Sequence, residues 1–400
     1  MKRAYKYRIY PTDEQKKFFA KCFGGNRWFW NYALDKKKKV YEETKKTISA
    51  QYEIAKDLPI LKKTEGTSWL KEVESTSLIN TAINLDLAYA NFFRRGGFPK
   101  YKTAQYDNSF TIKINKTEKN IILWKKGFIK VRKCGLVKIS LHKKFYGEIK
   151  SLTISKKSYD FYEVSILVDD NFIAPEAKKP TIEGTVGIDM GIKQDGNAIL
   201  HNGERFACSD VKKYEERIKK LQRQLAKKQW IKTGETKFSR KYNKDVEVKC
   251  PSKNYLKIKD KIAKLQDKIA RIRAYNTHQI SSYVAKNDEW NTVCIENLNN
   301  KGMSRNHHIA KSNANSNKYE LRRQLEYKSK WNGKNFVVVD RFFPSSQTCS
   351  VCGYKNPKTK NLNVRKWVCP HCGTEHDRDV NAAINIKNEG YAQVTQSKSK

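Results

Sequence analysis

Two cysteine pairs, Cys349-x-x-Cys352 and Cys369-x-x-Cys372, stand sixteen residues apart. That spacing lies within the range of a four-thiolate zinc ribbon. Gly353 and Gly373 follow the pairs and supply the backbone freedom that knuckles around a metal thiolate need. Isolated buried thiols or a redox pair would not repeat the motif at this distance. Four thiolates fill a tetrahedral shell, so a Zn²⁺ held by Cys349, Cys352, Cys369 and Cys372 is expected to be structural, with no open position for chemistry. His371 and His376 are alternative ligands that four cysteines make unnecessary.

The charge balance narrows the partner. Lys and Arg outnumber Asp and Glu by 82 to 41 in 400 residues, a net charge of +41. A field of that size fits a polyanion, because displacing counterions from phosphates supplies binding energy. With no long apolar run and no lipidation signal, a membrane is not expected as the partner. The other five cysteines, Cys22, Cys134, Cys208, Cys250 and Cys294, are scattered singly and read as small buried residues.

At this length more than one core is expected. Residues 2–10 alternate like a strand and lead to Pro11-Thr12, where a helix capped by Thr12 is predicted to run to about Glu43. Further helix is predicted over Glu53–Leu61 and Leu78–Arg94. Short β-branched runs follow: Phe110–Ile114, Ile121–Trp124, Phe128–Val131, Val137–Leu141, Ile149–Ser155 and Tyr162–Val168. They suggest a small barrel or sandwich that the first strand joins. Beyond a proline-bounded linker at 174–180, Thr185–Asp189 reads as an apolar strand and Ala198–Leu200 as its hairpin return. Tyr214, Ile218, Leu221 and Leu225 form one helical stripe, and Ile258, Ile262, Leu265, Ile269 and Ile272 another. These bracket a polar stretch, Lys228–Pro251. Residues 211–275 carry 22 Lys/Arg against 7 Asp/Glu, a bias that points to a hairpin facing nucleic acid. Asn299–Asn317 is expected to be a flexible loop and 391–400 a disordered tail.

Three carboxylates share a pattern. Asp189 and Glu296 each close an apolar strand, and Asp379 opens a helix just past the ribbon. Brought together they would repel one another unless cations intervene. Oxygen ligands suit Mg²⁺, and two such ions about 4 Å apart can clamp both oxygens of an in-line phosphodiester displacement. Singly, a strand-end Asp is more often a turn former and a helix-opening Asp a cap. On the residues alone, Asp340 and Asp377 remain alternatives.

Tyr5–Thr12, Gly97–Lys102, Gly187–Lys193, Ile295–Leu298 and Arg378–Ile386 together resemble TnpB, the family of RNA-guided, transposon-encoded nucleases related to type V CRISPR effectors. The last three segments are similar to the split RuvC nuclease, an RNase H-like fold. The resemblance implies an α/β multidomain protein. A wedge β-barrel would span 1–10 and 97–180, with a helical recognition domain inserted at 11–96. A RuvC-like nuclease domain would span 181–348 and 375–390, with the helical hairpin 211–275 and the zinc ribbon 349–374 inserted. It implies Asp189, Glu296 and Asp379 as ligands of catalytic Mg²⁺, choosing Asp379 over Asp377. It also implies a guide RNA and double- and single-stranded target DNA as partners. Cleavage would occur beside a short adjacent motif and leave 3′-hydroxyl and 5′-phosphate ends. The first residues, Met1–Lys6, lack an apolar signal segment, so a cytoplasmic protein, nucleoid-associated when on DNA, is expected. A miniature CRISPR effector and a guide-dependent DNA-binding regulator without cleavage are the competing readings. A strand-joining transposase is disfavoured by the Glu in second place.

Overall fold

The computed structural model describes residues 1–94, 96–105, 108–115, 117–118, 120–191, 196–227, 230–239, 244–361 and 363–396. Ile192 and Lys193 of the Gly187–Lys193 motif therefore lie outside the described residues. So do Lys228, Gln229 and the last four positions. The chain divides into two compact units, Met1–Ile173 and Ala174–Lys400.

The first unit begins with β1 (Lys2–Tyr10) and the long α1 (Asp13–Thr44). Thr12 caps α1 as predicted: its hydroxyl accepts from the Gln15 amide at 3.3 Å while Gln15 Oε1 accepts from the Thr12 amide at 3.0 Å. The predicted helix at Glu53–Leu61 shrinks to a 3₁₀ turn over Ile54–Asp57 and one α turn, α2 (Leu58–Leu61). Pro59 is the reason, since it lacks an amide hydrogen and fits only at a helix start. Next come α3 (Ser75–Phe93), β2 (Ser109–Lys113), β3 (Ile122–Leu123), β4 (Phe128–Val131), β5 (Gly135–Ile139), β6 (Glu148–Lys156) and β7 (Tyr162–Asp169).

These strands form one antiparallel sheet in the order β2-β6-β7-β1-β5-β4-β3. β1 lies in its interior, paired with β7 from Lys2↔Asp169 to Ile9↔Tyr162. Among the described residues no ladder joins β2 to β3, so the expected barrel is, by its hydrogen bonds, an open seven-stranded sheet. Its apolar face carries Tyr7, Ile9, Phe110, Ile112 and Val164, which pack in one core with Phe19, Phe23 and Phe29 of α1 and Leu78 and Leu85 of α3. Most aromatics of α1 are thus core residues.

The second unit runs β8 (Thr185–Asp189), β9 (Ala198–Leu200), β10 (Arg205–Phe206), α4 (Lys212–Ala226), β11 (Trp230–Ser239), β12 (Lys244–Pro251) and α5 (Lys253–Lys286). It continues with β13 (Thr292–Glu296), α6 (Asn300–Arg305), α7 (Ala310–Ser316), α8 (Lys318–Trp331), β14 (Asn335–Val339), β15 (Lys366–Val368), β16 (Glu375–Asp377) and α9 (Arg378–Gln396). Its main sheet has the order β10-β9-β8-β13-β14. β8, β13 and β14 are parallel, whereas β9 and β10 return as antiparallel hairpins. The two predicted apolar stripes meet in a single core between α4 and α5, and the polar stretch between them forms the β11–β12 ribbon. The segment expected as a flexible loop at Asn299–Asn317 holds α6 and α7, with Asn299 capping α6 through the Gly302 amide at 3.1 Å.

The expected tail is also corrected, because α9 continues to Gln396. Chain ends are commonly unordered, but here helix continues beyond Gly390, whose contacts show how closely α9 is seated. A Cβ on Gly390 would meet Cys294 Sγ at 2.3 Å, and one on Gly187 would meet the Ala383 carbonyl oxygen at 2.0 Å. Close seating of α9 on β8, backbone to backbone, and on β13, backbone to side chain, therefore requires hydrogen at both positions. Gly187→Ala should destabilise this unit by about 1–3 kcal/mol or more. Thermal unfolding should show this as a midpoint lowered by several degrees.

Candidate active site and metal centre

Parallel pairing of β8 with β13 sets Ile188 opposite Ile295. The next residues, Asp189 and Glu296, therefore stand side by side at the strand ends, and their side chains share a hydrogen bond. Each keeps a partly exposed edge. Burial pushes Asp189 well above the usual carboxylate range, with Glu296 and then Asp379 adding to the shift. Burial also raises Glu296, but the bond from Asp189, the Lys318 ammonium and the Met190 amide pull it back. The two acids therefore titrate as one coupled pair that shares a proton. Two carboxylates forced to share a proton form an oxygen-donor centre short of positive charge, which fits a hard divalent cation.

Asp379 enters from the first turn of α9. Its carboxylate meets Arg365 Nη1 at 3.3 Å and Arg205 Nη1 at 3.8 Å. The two alternatives make local hydrogen bonds of their own. Asp377 Oδ1 accepts from the amides of Asp379 at 3.0 Å and Val380 at 3.1 Å, so it caps α9, and its Oδ2 pairs with Arg205 at 2.8 Å. Asp340 is exposed and accepts from the Phe342 amide at 2.8 Å, which makes it a turn former.

The sulfur atoms of Cys349, Cys352, Cys369 and Cys372 lie within 4.8 Å of one another. Both knuckles have the same form: Gly353 and Gly373, at φ 75° and 72°, donate to the Cys349 and Cys369 carbonyls. The thiols titrate as a coupled cluster: bonds from Thr374 pull Cys372 down to about 6, while burial and the neighbouring sulfurs push Cys352 up to about 12. His376 stays outside the cluster, with Nε2 3.0 Å from Cys349 Sγ and its ring against Trp367. His371 stacks on Tyr354. The donor set and knuckles fit a tetrahedral Zn²⁺.

Side chains of α9 fasten this ribbon to the sheet. Asn381 brackets Cys349, accepting from the Ser350 amide at 2.9 Å and donating to the Thr348 carbonyl at 2.8 Å. Asn385 donates to the carbonyls of Ser345 and Thr348, both at 2.7 Å. Arg378 reaches the Asn361 carbonyl at 3.0 Å. These bonds tie the ribbon to the helix that carries Asp379.

With this geometry in hand, relatives can be compared. Over 398 residues the chain is 33% identical to a Streptomyces pristinaespiralis protein named as an RNA-guided DNA endonuclease, covering 98% of this chain and 90% of that one. The chain belongs to the TnpB family. InsQ of Escherichia coli K12, a TnpB relative likewise named for RNA-guided DNA endonuclease activity, is 29% identical over 98% of this chain and 94% of its own. The model of the Cas12f1-like TNB domain matches residues 319–386, and that of a helix-turn-helix domain matches residues 1–46. Across the latter the structure holds β1 and α1, a strand and one helix. A solved Cas12f1–sgRNA–target DNA complex aligns over 97% of this chain and 99% of its own at 16% identity and a TM-score of 0.49, too distant to bear on the reading. No helix among the described residues is long and apolar enough to cross a membrane.

Within this TnpB chain, several site residues escaped the sequence reading: Lys318, Arg205, Arg365, Asn381 and Asn385. Only the two asparagines left a trace, at a one-turn spacing on the face of α9 that meets the ribbon. The cations come from other elements, and nothing local marks them.

Two outcomes follow for this site. In metal-free protein an acid whose pKa is raised by folding costs stability once pH climbs above its unfolded value, so Asp189→Asn should raise the thermal midpoint by about 2–4 °C at neutral pH. A midpoint unchanged from pH 5 to 8 would contradict the crowding of these acids. Cys369→Ser should abolish zinc retention, as measured by elemental analysis of the purified protein.

Proposed function

We propose that this protein is an RNA-guided DNA endonuclease. It cleaves target DNA beside a short adjacent motif, by Mg²⁺-dependent hydrolysis at a RuvC-like site. The observation that carries this reading is the convergence of Asp189 and Glu296 at adjacent parallel strand ends, electrostatically coupled to Asp379 on α9. The mixed sheet, with three parallel strands and a hairpin return, supports an RNase H-like nuclease unit. A guide RNA and target DNA as partners are supported by the family and by the charge of +41.

Asp189, Glu296 and Asp379 would hold the Mg²⁺ ions. When bound, the metal supplies charge stabilisation and an activated water for attack on phosphorus. The protein contributes the rest. β8 and β13 fix the two carboxylates by backbone register, and α9 fixes the third through its cap and the ribbon clamp. Arg205 and Arg365 hold Asp379 in place and provide cations where a phosphate strand would approach. Zn²⁺ on the four cysteines would keep the ribbon folded and Asp379 aligned.

An intact acidic trio favours cleavage over binding alone. In a reconstituted ribonucleoprotein with Mg²⁺, wild type should cut a matched target, while Asp189→Ala should lose at least about 10³-fold in rate and keep guide and target binding. Binding by both proteins with cleavage by neither would refute the nuclease reading.

A further inference from the structure

Lys318 is a residue whose position needs explaining. It is 4% exposed, at the first position of α8. Burying an ammonium is costly, and a cation at a helix N-terminus also opposes the helix dipole. The backbone adds strain, since Asn317 takes φ 52° to end α7 and start α8 at once. Asn317 Nδ2 pins that junction to Thr277 Oγ1 at 3.0 Å. What offsets these costs lies at the site. Lys318 Nζ donates to the carbonyl oxygen of Met190, the residue after Asp189, at 2.6 Å. Its charge acts on Glu296 and Asp189 together.

We propose that Lys318 is the built-in counter-ion of the carboxylate centre. It holds the acids together before any divalent cation arrives and keeps cation affinity low, so that firm loading needs the negative charge of a substrate phosphate. This rests on the reading of Asp189 and Glu296 as metal ligands. The fixed ammonium neutralises part of the acids' charge, and every entering cation meets its repulsion. Lys318 is thus a positioning residue that sets metal affinity without touching substrate.

Mn²⁺ titration of the full chain, with free ion read by electron paramagnetic resonance, tests this directly. Lys318→Met and Lys318→Gln should each bind Mn²⁺ at least about tenfold more tightly than wild type, because a unit charge at this range acts through a partly buried medium. Lys318→Arg, which keeps the charge, should stay close to wild type. Unchanged affinity in the neutral variants, or an equal shift in Lys318→Arg, would overturn the proposal. If the neutral variants fail to fold, Glu296→Gln combined with Lys318→Met should restore folding, as expected of a balanced charge pair. No rescue would refute it. Wild type that binds no more Mn²⁺ than Asp189→Asn would instead sink the metal-ligand reading, leaving the two failures distinct.

Discussion

The close seating of α9 on the five-stranded sheet of the second unit is the constraint on which the rest of this site depends. Helices usually lie on sheets with side chains between them. Here Gly187 on one side and Gly390 on the other bring backbone against backbone or sulfur. Such an approach leaves little freedom to slide or tilt. Because Asp379 sits in the first turn of α9, that rigidity fixes the third carboxylate relative to the two held by β8 and β13. The ribbon, clamped through Asn381, Asn385 and Arg378, adds a second hold on the same turn.

Electrostatics shape the rest. A chain with so large an excess of positive charge places its acids together at one sheet end, where repulsion among them is greatest. The structure answers with a shared proton between Asp189 and Glu296, an internal ammonium at Lys318, and guanidinium groups from Arg205 and Arg365 around Asp379. None of these partners is a neighbour in sequence of the acid it serves, and Asp189 and Glu296 themselves meet only through the register of β8 and β13. Assembly by topology is what brings these charges close enough to offset one another.

How much of this was legible in the sequence follows from how local each signal is. The cysteine knuckles, the Thr12 cap, the strands of the first unit and the apolar stripes of α4 and α5 are short-range patterns, and the structure shows them where the residues indicate. Asp189 and Glu296 were readable as strand ends, but their adjacency needed the parallel β8–β13 pairing, which no local pattern specifies. The errors have separate causes. Pro59 shortened a helix, while α6, α7 and the end of α9 form despite polar composition because caps and tertiary packing support them. Lys318 was hidden for the opposite reason: a lysine on a lysine-rich helix reads as solvated surface until the fold buries it.

The placement of β1 has a consequence for how the molecule is made. The first strand of the chain lies inside its sheet, and its longest partner, β7, is more than 150 residues further on. A nascent chain leaving the ribosome would expose Tyr7 and Ile9, with unsatisfied strand edges beside them, until β7 emerged. Pairing at that separation is also slow to close. Lysine and arginine alternate with the apolar positions of β1, so the waiting strand carries its own charge repulsion against premature association. In that reading, the same basic residues that suit a polyanionic partner protect the chain during synthesis.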